Sequence, residues 1–182
     1  DDCQAIVKSL FNHHDLRDEL NLAGVNSINW VRIAAQTVYY FTAAVSLGAP
    51  YRKISFSVPT GNFGDVLAGY VAKRMGLAIE RLLISTNEND ILARALATGA
   101  YEVRGVAATS SPSMDIQVSS NFERLLFEAQ DRDADAVKRA MAGHAQSRRF
   151  AIPATALAAI RSDFDAAAVG EAETAREIRE TF

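Results

Sequence analysis

With 182 residues, 49% of them apolar, the chain is long enough for one domain with a sizeable core. A formal charge of −3 gives no general attraction to nucleic acid or to an anionic membrane. Cys3 is the only cysteine, so no intrachain disulfide can form, which fits a reducing cytoplasm. The chain opens on Asp1-Asp2-Cys3, without an initiator Met and without the basic and then apolar start of a signal peptide. The expectation is therefore a piece of a longer polypeptide. The most apolar stretch, residues 37–50, is too short and too broken to span a bilayer.

Taken in chain order, residues 3–11 read as a short amphipathic helix with Ile6, Val7 and Leu10 on one face and Asp1 or Asp2 as cap. Residues 12–24 are polar and irregular, with a turn of helix near Leu16. Ser27 or Asn29 then caps a long helix over 30–47, stopped by Gly48 and Pro50. Its Ile33, Val38, Phe41 and Val45, broadened by Tyr39 and Tyr40, predict burial on more than one side. Strands are expected at 53–58 and 81–85, joined by a helix over 66–75 that Gly76 ends. That is a βαβ unit, so the two strands should be parallel. A helix over 89–98 follows, capped by Asn87 or Asn89 and closed by Gly99, then a short edge strand at 101–103. Residues 107–116 are irregular. Ser119 or Ser120 caps a helix through Phe127, and further helices cover 133–143, 153–160 and 171–182.

The segment with the most chemistry is Ser57-Val58-Pro59-Thr60-Gly61-Asn62-Phe63-Gly64-Asp65, a strand, a glycine turn and a helix start. Gly61 and Gly64 let the backbone come close to a ligand, and the amides of such a turn, with a helix N-terminus behind them, cradle a phosphate. Asn62 adds an amide side chain. Asp65 is out of place beside an anion and fits better as a cap of the next helix or as a residue that orients the loop. A plain capped turn is the competing reading. The loop is neither a Walker A motif, since no Gly-Lys-Ser/Thr follows, nor a dinucleotide fingerprint.

Asn26, Ser27 and Asn29 can grip an anion at a helix start or merely cap it. Thr86, Asn87, Glu88 and Asn89 follow a strand end, where open α/β sheets bind ligands. Ser111, Ser113 and Asp115 either line a pocket or form turns around Pro112. His13, His14, His144 and Cys3 have no metal-ligand spacing, and Arg148 and Arg149 read as solvated.

Several of these segments together resemble one family. Asn26-Ser27-Ile28-Asn29-Trp30, Pro59 through Asp65, Thr86-Asn87-Glu88-Asn89-Asp90-Ile91-Leu92, Ser111-Pro112-Ser113-Met114-Asp115-Ile116 and Ser120-Asn121-Phe122-Glu123-Arg124 are similar to threonine synthase, in the same order over nearly the whole chain. The resemblance implies an α/β fold with an open, mainly parallel sheet and flanking helices, part of the tryptophan-synthase-β-like pyridoxal-phosphate fold (fold type II). Residues 1–130 are then a partial cofactor-binding domain and 131–182 an incomplete helical C-terminal portion. It implies conversion of O-phospho-L-homoserine and water to L-threonine and phosphate, with pyridoxal 5′-phosphate as cofactor. Gly61, Asn62, Phe63, Gly64 and Asp65 fall on the family's cofactor-contacting loop.

The family's Schiff-base lysine belongs to a segment before Asp1, and a polar residue near the pyridine nitrogen to a segment after Phe182. Lys8, Lys53, Lys73 and Lys138 do not match the lysine motif, so no catalytic residue is assigned within these 182 residues and the chain alone is expected to be inactive. The partners implied are the substrate and the missing segments of the same polypeptide, with self-association through surfaces that truncation exposes. The competing functions are another pyridoxal-phosphate lyase of the same fold and a non-catalytic anion-binding module.

Overall fold

The computed structural model describes residues 2–181, the side chains of residues 2–5 and 8 left aside. The expectations for a cap from Asp1 or Asp2, for the side chains of Cys3 and Lys8, and for a final helix reaching Phe182 lie outside the described residues. Helices α1 (Asp2–Asn12) and α2 (His14–Glu19) lead to the long α3 (Trp30–Ser46). Asn29 begins α3 as expected, its side chain accepting from the Val31 amide at 2.9 Å. Then come β1 (Ile54–Pro59), α4 (Gly64–Arg74), β2 (Ile79–Thr86), α5 (Ile91–Thr98) and β3 (Ala100–Glu102). A 3₁₀ turn at Pro112–Met114 precedes α6 (Phe122–Ala129), α7 (Ala134–Ser147), β4 (Arg149–Ala151), α8 (Ala154–Asp163), β5 (Phe164–Ala168) and α9 (Glu171–Thr181).

The main sheet has the order β1-β2-β5, and both pairings are parallel. The predicted βαβ unit is therefore present. Its apolar middle, Leu82 and Ile84, is fully buried. The fold is α/β with a parallel sheet and flanking helices, as expected.

The third strand was not foreseen. Phe164-Asp165-Ala166-Ala167-Ala168 has the composition of a helix, because alanine is the best helix former and a poor strand residue. Tertiary contacts override that preference. Arg81 of β2 grips the Asp165 carboxylate with Nε at 2.8 Å and with Nη2, and Nη1 donates to the Ser162 carbonyl at 2.7 Å. These bonds fix the end of α8 and the register Leu82↔Phe164. The C-terminal portion thus supplies a core strand besides its helices. It also supplies β4, which pairs antiparallel with β3.

Helix α3 also corrects an expectation. One stripe is buried (Ile33, Thr37, Tyr40 and Ala44), while Val31, Val38, Tyr39 and Val45 are exposed. The buried stripe lies so close to α4 that a Cβ on Gly69 would stand 2.5 Å from Tyr40 Cε1. No described helix is long and apolar enough to cross a membrane.

Candidate functional site

The C-terminal end of β1 runs directly into the candidate site. Thr60 is buried and held twice: its amide donates to the Ser85 carbonyl at 2.8 Å and its hydroxyl to the Val58 carbonyl at 2.6 Å. Gly61 and Asn62 follow, and Phe63 adopts a left-handed conformation (φ 65°, ψ 7°) just before α4. A non-glycine residue there is strained by about 1 kcal/mol. Burial offsets it. The Phe63 ring is 1% exposed and packs edge-on to Phe122 at 5.5 Å and beside Phe164 at 5.8 Å. The side chain is therefore an anchor in the core, and what Phe63 offers a ligand is its backbone amide.

Among the described residues, none of the amides from Gly61 to Val66 donates to a protein acceptor, and α4 has no side-chain cap. A run of free N–H groups at a helix N-terminus carries partial positive charge. It faces a cavity of about 150 Å³, walled on the other side by Ser27, Arg32 and Gln36. At roughly 30 Å³ per water, that volume suits a group of about five heavy atoms, the size of a phosphate.

Glycine is needed at 61 for contact rather than for torsion. A Cβ there would stand 3.0 Å from Ile116 Cδ1 and 3.1 Å from the Ser113 carbonyl. Gly64 is looser, with the Ser27 carbonyl at 3.5 Å.

Asp65 makes no capping hydrogen bond, capping being one of the two roles expected of it. It sits in the first turn of α4, and its backbone carbonyl accepts the Tyr40 hydroxyl at 2.9 Å. Desolvation pushes the Asp65 carboxyl above its ordinary value, partly opposed by that hydroxyl. Burial, and then the neighbouring Asp65 charge, keeps Tyr40 protonated far above the usual phenol range. The cavity thus has one cationic wall at Arg32 and a carboxylate that resists ionising.

The other candidate clusters divide. Asn26 accepts from the Ile28 amide at 3.1 Å and Asn29 caps α3, so both serve the local turn, while Ser27 reaches the cavity wall. Asn87, Asn89 and Asp115 come together, but around one another. Asp115 Oδ1 accepts from Asn87 Nδ2 at 2.7 Å, Asn89 Nδ2 at 3.0 Å and the Thr109 hydroxyl at 2.7 Å. Hydrogen bonds from the Thr109 hydroxyl and amide hold the Asp115 carboxyl below the usual range. Ser111 and Ser113 belong to the turn that packs on Gly61.

Lys53 and Lys138 are exposed, and Lys73 pairs with Asp163 at 2.7 Å. Arg148 and Arg149 are exposed as expected, and no metal-binding group of His, Cys, Asp or Glu occurs among the described residues.

Sequence reasoning missed Arg32, Ser119, Asn121 and Tyr40. The spacing of Arg32 and Gln36, four residues apart on one helix face, was the available signal for the first. Ser119 does not cap α6 as expected. Its hydroxyl donates to the Gly61 carbonyl at 2.7 Å, and Asn121 precedes the helix without a capping bond of its side chain.

No protein-family model matches the chain. It is 46% identical to the threonine synthase of Pseudomonas aeruginosa over 182 residues, which is 100% of this chain and 39% of that protein. A crystal structure of PLP-bound threonine synthase from Brucella melitensis superposes with a TM-score of 0.93 at 65% identity, covering 96% of this chain and 38% of that one. The chain belongs to the threonine synthase family. Yeast threonine synthase superposes with a TM-score of 0.87 at 42% identity, over 96% of this chain and 36% of that one. This member thus spans somewhat under two fifths of the length of the threonine synthases named here.

Proposed function

We propose that this chain is the phosphate-cradling part of a cytoplasmic threonine synthase, an enzyme that turns O-phospho-L-homoserine and water into L-threonine and phosphate with pyridoxal 5′-phosphate. The observation that carries the reading is the run of free amides from Gly61 to Val66 over a phosphate-sized cavity. The residues fit the cofactor's phosphate. Gly61, Asn62, Phe63 and Gly64 offer backbone donors, Arg32 offers a cation, and Asp65 lines the wall. When bound, the cofactor supplies the electron sink for the elimination and hydration steps.

This chain's own residues bind and orient. The cradle fixes the anionic end of the cofactor, and the strand below it holds the loop rigid. None of the described lysines approaches the cradle wall, which is formed by 59–66, Ser27, Arg32 and Gln36. The lysine that carries the cofactor then comes from elsewhere in the polypeptide, and these residues alone are inactive. The exposed apolar face of α3 (Val31, Val38, Val45) is the kind of surface that further polypeptide covers, or that self-associates when it is bare.

The test is an assay for threonine and phosphate from O-phospho-L-homoserine. It is run with cofactor on these 182 residues and on the same residues joined to the flanking segments of a relative. Turnover only by the joined chain is expected. Turnover by the 182 residues alone overturns the division of labour, and a folded joined chain without turnover overturns the function.

A further inference from the structure

The cradle works as a donor array only if its peptide planes face the right way, and two side chains from the other end of the domain set them. The Gly61 carbonyl accepts from Ser119 Oγ at 2.7 Å. The Asn62 carbonyl accepts twice from Asn121, from Nδ2 at 2.9 Å and from the backbone amide at 3.1 Å. In a planar trans peptide the N–H points opposite to the C=O. Pinning these two carbonyls backward therefore turns the N–H groups of Asn62 and Phe63 forward, away from Ser119 and Asn121.

Both pins are themselves buried and fixed. Ser119 is 4% exposed and Asn121 0%. The Ser119 amide donates to the Tyr101 hydroxyl at 2.8 Å. Asn121 Nδ2 also donates to the Ser27 carbonyl at 2.8 Å, and its Oδ1 accepts from Arg124 at 3.0 Å. Asn121 thus joins the two walls of the cavity, the glycine loop and the segment before α3.

We infer that Ser119 and Asn121 are positioning residues for the anion cradle: they touch no ligand, and they orient the Asn62 and Phe63 amides that do. The inference rests on the proposed phosphate-binding reading of the loop. It explains why two small polar residues before α6 leave the helix start uncapped. Their hydrogen-bonding capacity is committed to the glycine loop, about 60 residues away in the chain.

The experiment follows the ¹⁵N amide resonances of the 182-residue chain during titration with inorganic phosphate. In the unaltered chain the Asn62 and Phe63 amides should move on addition of phosphate. In Ser119→Ala the Asn62 amide should shift before any phosphate is added, and phosphate should bind about fivefold more weakly. Ser119→Thr, which keeps the hydroxyl, should restore both. Asn121→Asp, which keeps the shape and the backbone donor but removes the side-chain donor, should shift the Phe63 amide in the same way. If it does not fold by circular dichroism, the Ser119 pair decides. Phosphate binding and an Asn62 amide left unchanged by Ser119→Ala overturn this inference alone. An unaltered chain whose loop amides ignore phosphate overturns the cradle reading and the inference with it.

Discussion

Two strand-to-helix turns leave the same end of the parallel sheet, and they treat their backbone donors in opposite ways. After β2, side chains fill the turn. Asn87 Oδ1 accepts from the Asn89 amide at 2.9 Å, Asn89 bonds both the amide and the carbonyl of Ala107, and Arg94 pairs with Asp90 at 2.7 Å. After β1, the residues that could do the same do not, and the amides from Gly61 to Val66 stay open. Buried polar groups are normally paired, because leaving one unpaired costs about 1–3 kcal/mol. A turn that leaves its donors open beside a cavity is therefore shaped for something outside the chain, whereas its neighbour is shaped to hold a long loop.

The contrast makes opposite demands on mutants. Asn89→Ala should have the largest effect on stability. Asn89 is 3% exposed, and its loss orphans both backbone groups of Ala107. A destabilisation of about 3 kcal/mol is expected in urea unfolding. Below the unfolding transition, phosphate should still shift the Gly61 to Val66 amides. A stable Asn89→Ala chain that no longer responds to phosphate would reverse the assignment of the two turns.

Gly61→Ala comes next. The added methyl meets Ile116 Cδ1 and the Ser113 carbonyl, and overpacking of this kind costs about 1–3 kcal/mol. Here stability and phosphate binding should fall together, because the displaced backbone is the binding surface. Binding that survives the substitution would mean that the loop moves freely, against its fixed hydrogen bonds to Ser119 and Asn121.

Arg32→Gln separates the two properties in the other direction. Arg32 is exposed and forms no ion pair among the described residues, so stability should change by no more than about 0.5 kcal/mol. Loss of a charge-assisted contact should weaken phosphate binding about tenfold and flatten its dependence on salt. Isothermal titration at two salt concentrations measures both. Equal affinity for variant and unaltered chain would leave the amides as the whole site.

Local sequence carried the first turn and little of what surrounds it. The strand, glycine turn and helix from Ser57 onward are written in adjacent residues, and so is the parallel pairing that a βαβ unit requires. β5 was hidden because its alanines state a helical preference that only Arg81, 84 residues from Asp165, overrules. Ser119 and Asn121 were hidden for a similar reason. As residues before an apolar helix they read as caps, and only the folded chain brings them to the Gly61 and Asn62 carbonyls. The open face of α3 misled in the other direction, since an apolar stripe states a wish for burial without naming what will bury it.

The smallest effect, and the most discriminating, is on pH dependence, because Asp65 in the first turn and Asp115, packed against the second, are perturbed in opposite directions. Asp65 is raised by desolvation, so its ionisation opposes folding; the penalty is absent below its unfolded value of about 3.9 and complete above its folded value. Asp115 is lowered by its hydrogen bonds from Thr109, so it contributes stability above about 3.9 that is lost as pH falls through its folded value. On acidification from neutral pH, Asp65 therefore takes up its proton first. Relative to Asp65→Asn, the unaltered chain should gain stability in that interval. It should also bind sulfate, whose charge is constant there, more tightly as the carboxylate on the cavity wall is neutralised. Below about 3.9 the second turn should loosen in both proteins, as Asp115 protonates and its acceptors for Asn87, Asn89 and Thr109 weaken. Urea unfolding and sulfate titration across pH 7 to pH 3 measure the two phases. If Asp65→Asn follows the unaltered chain throughout, Asp65 is fully solvated and does not tune the cradle. If it lacks only the first phase, one carboxylate tunes the open turn and the other holds the closed one.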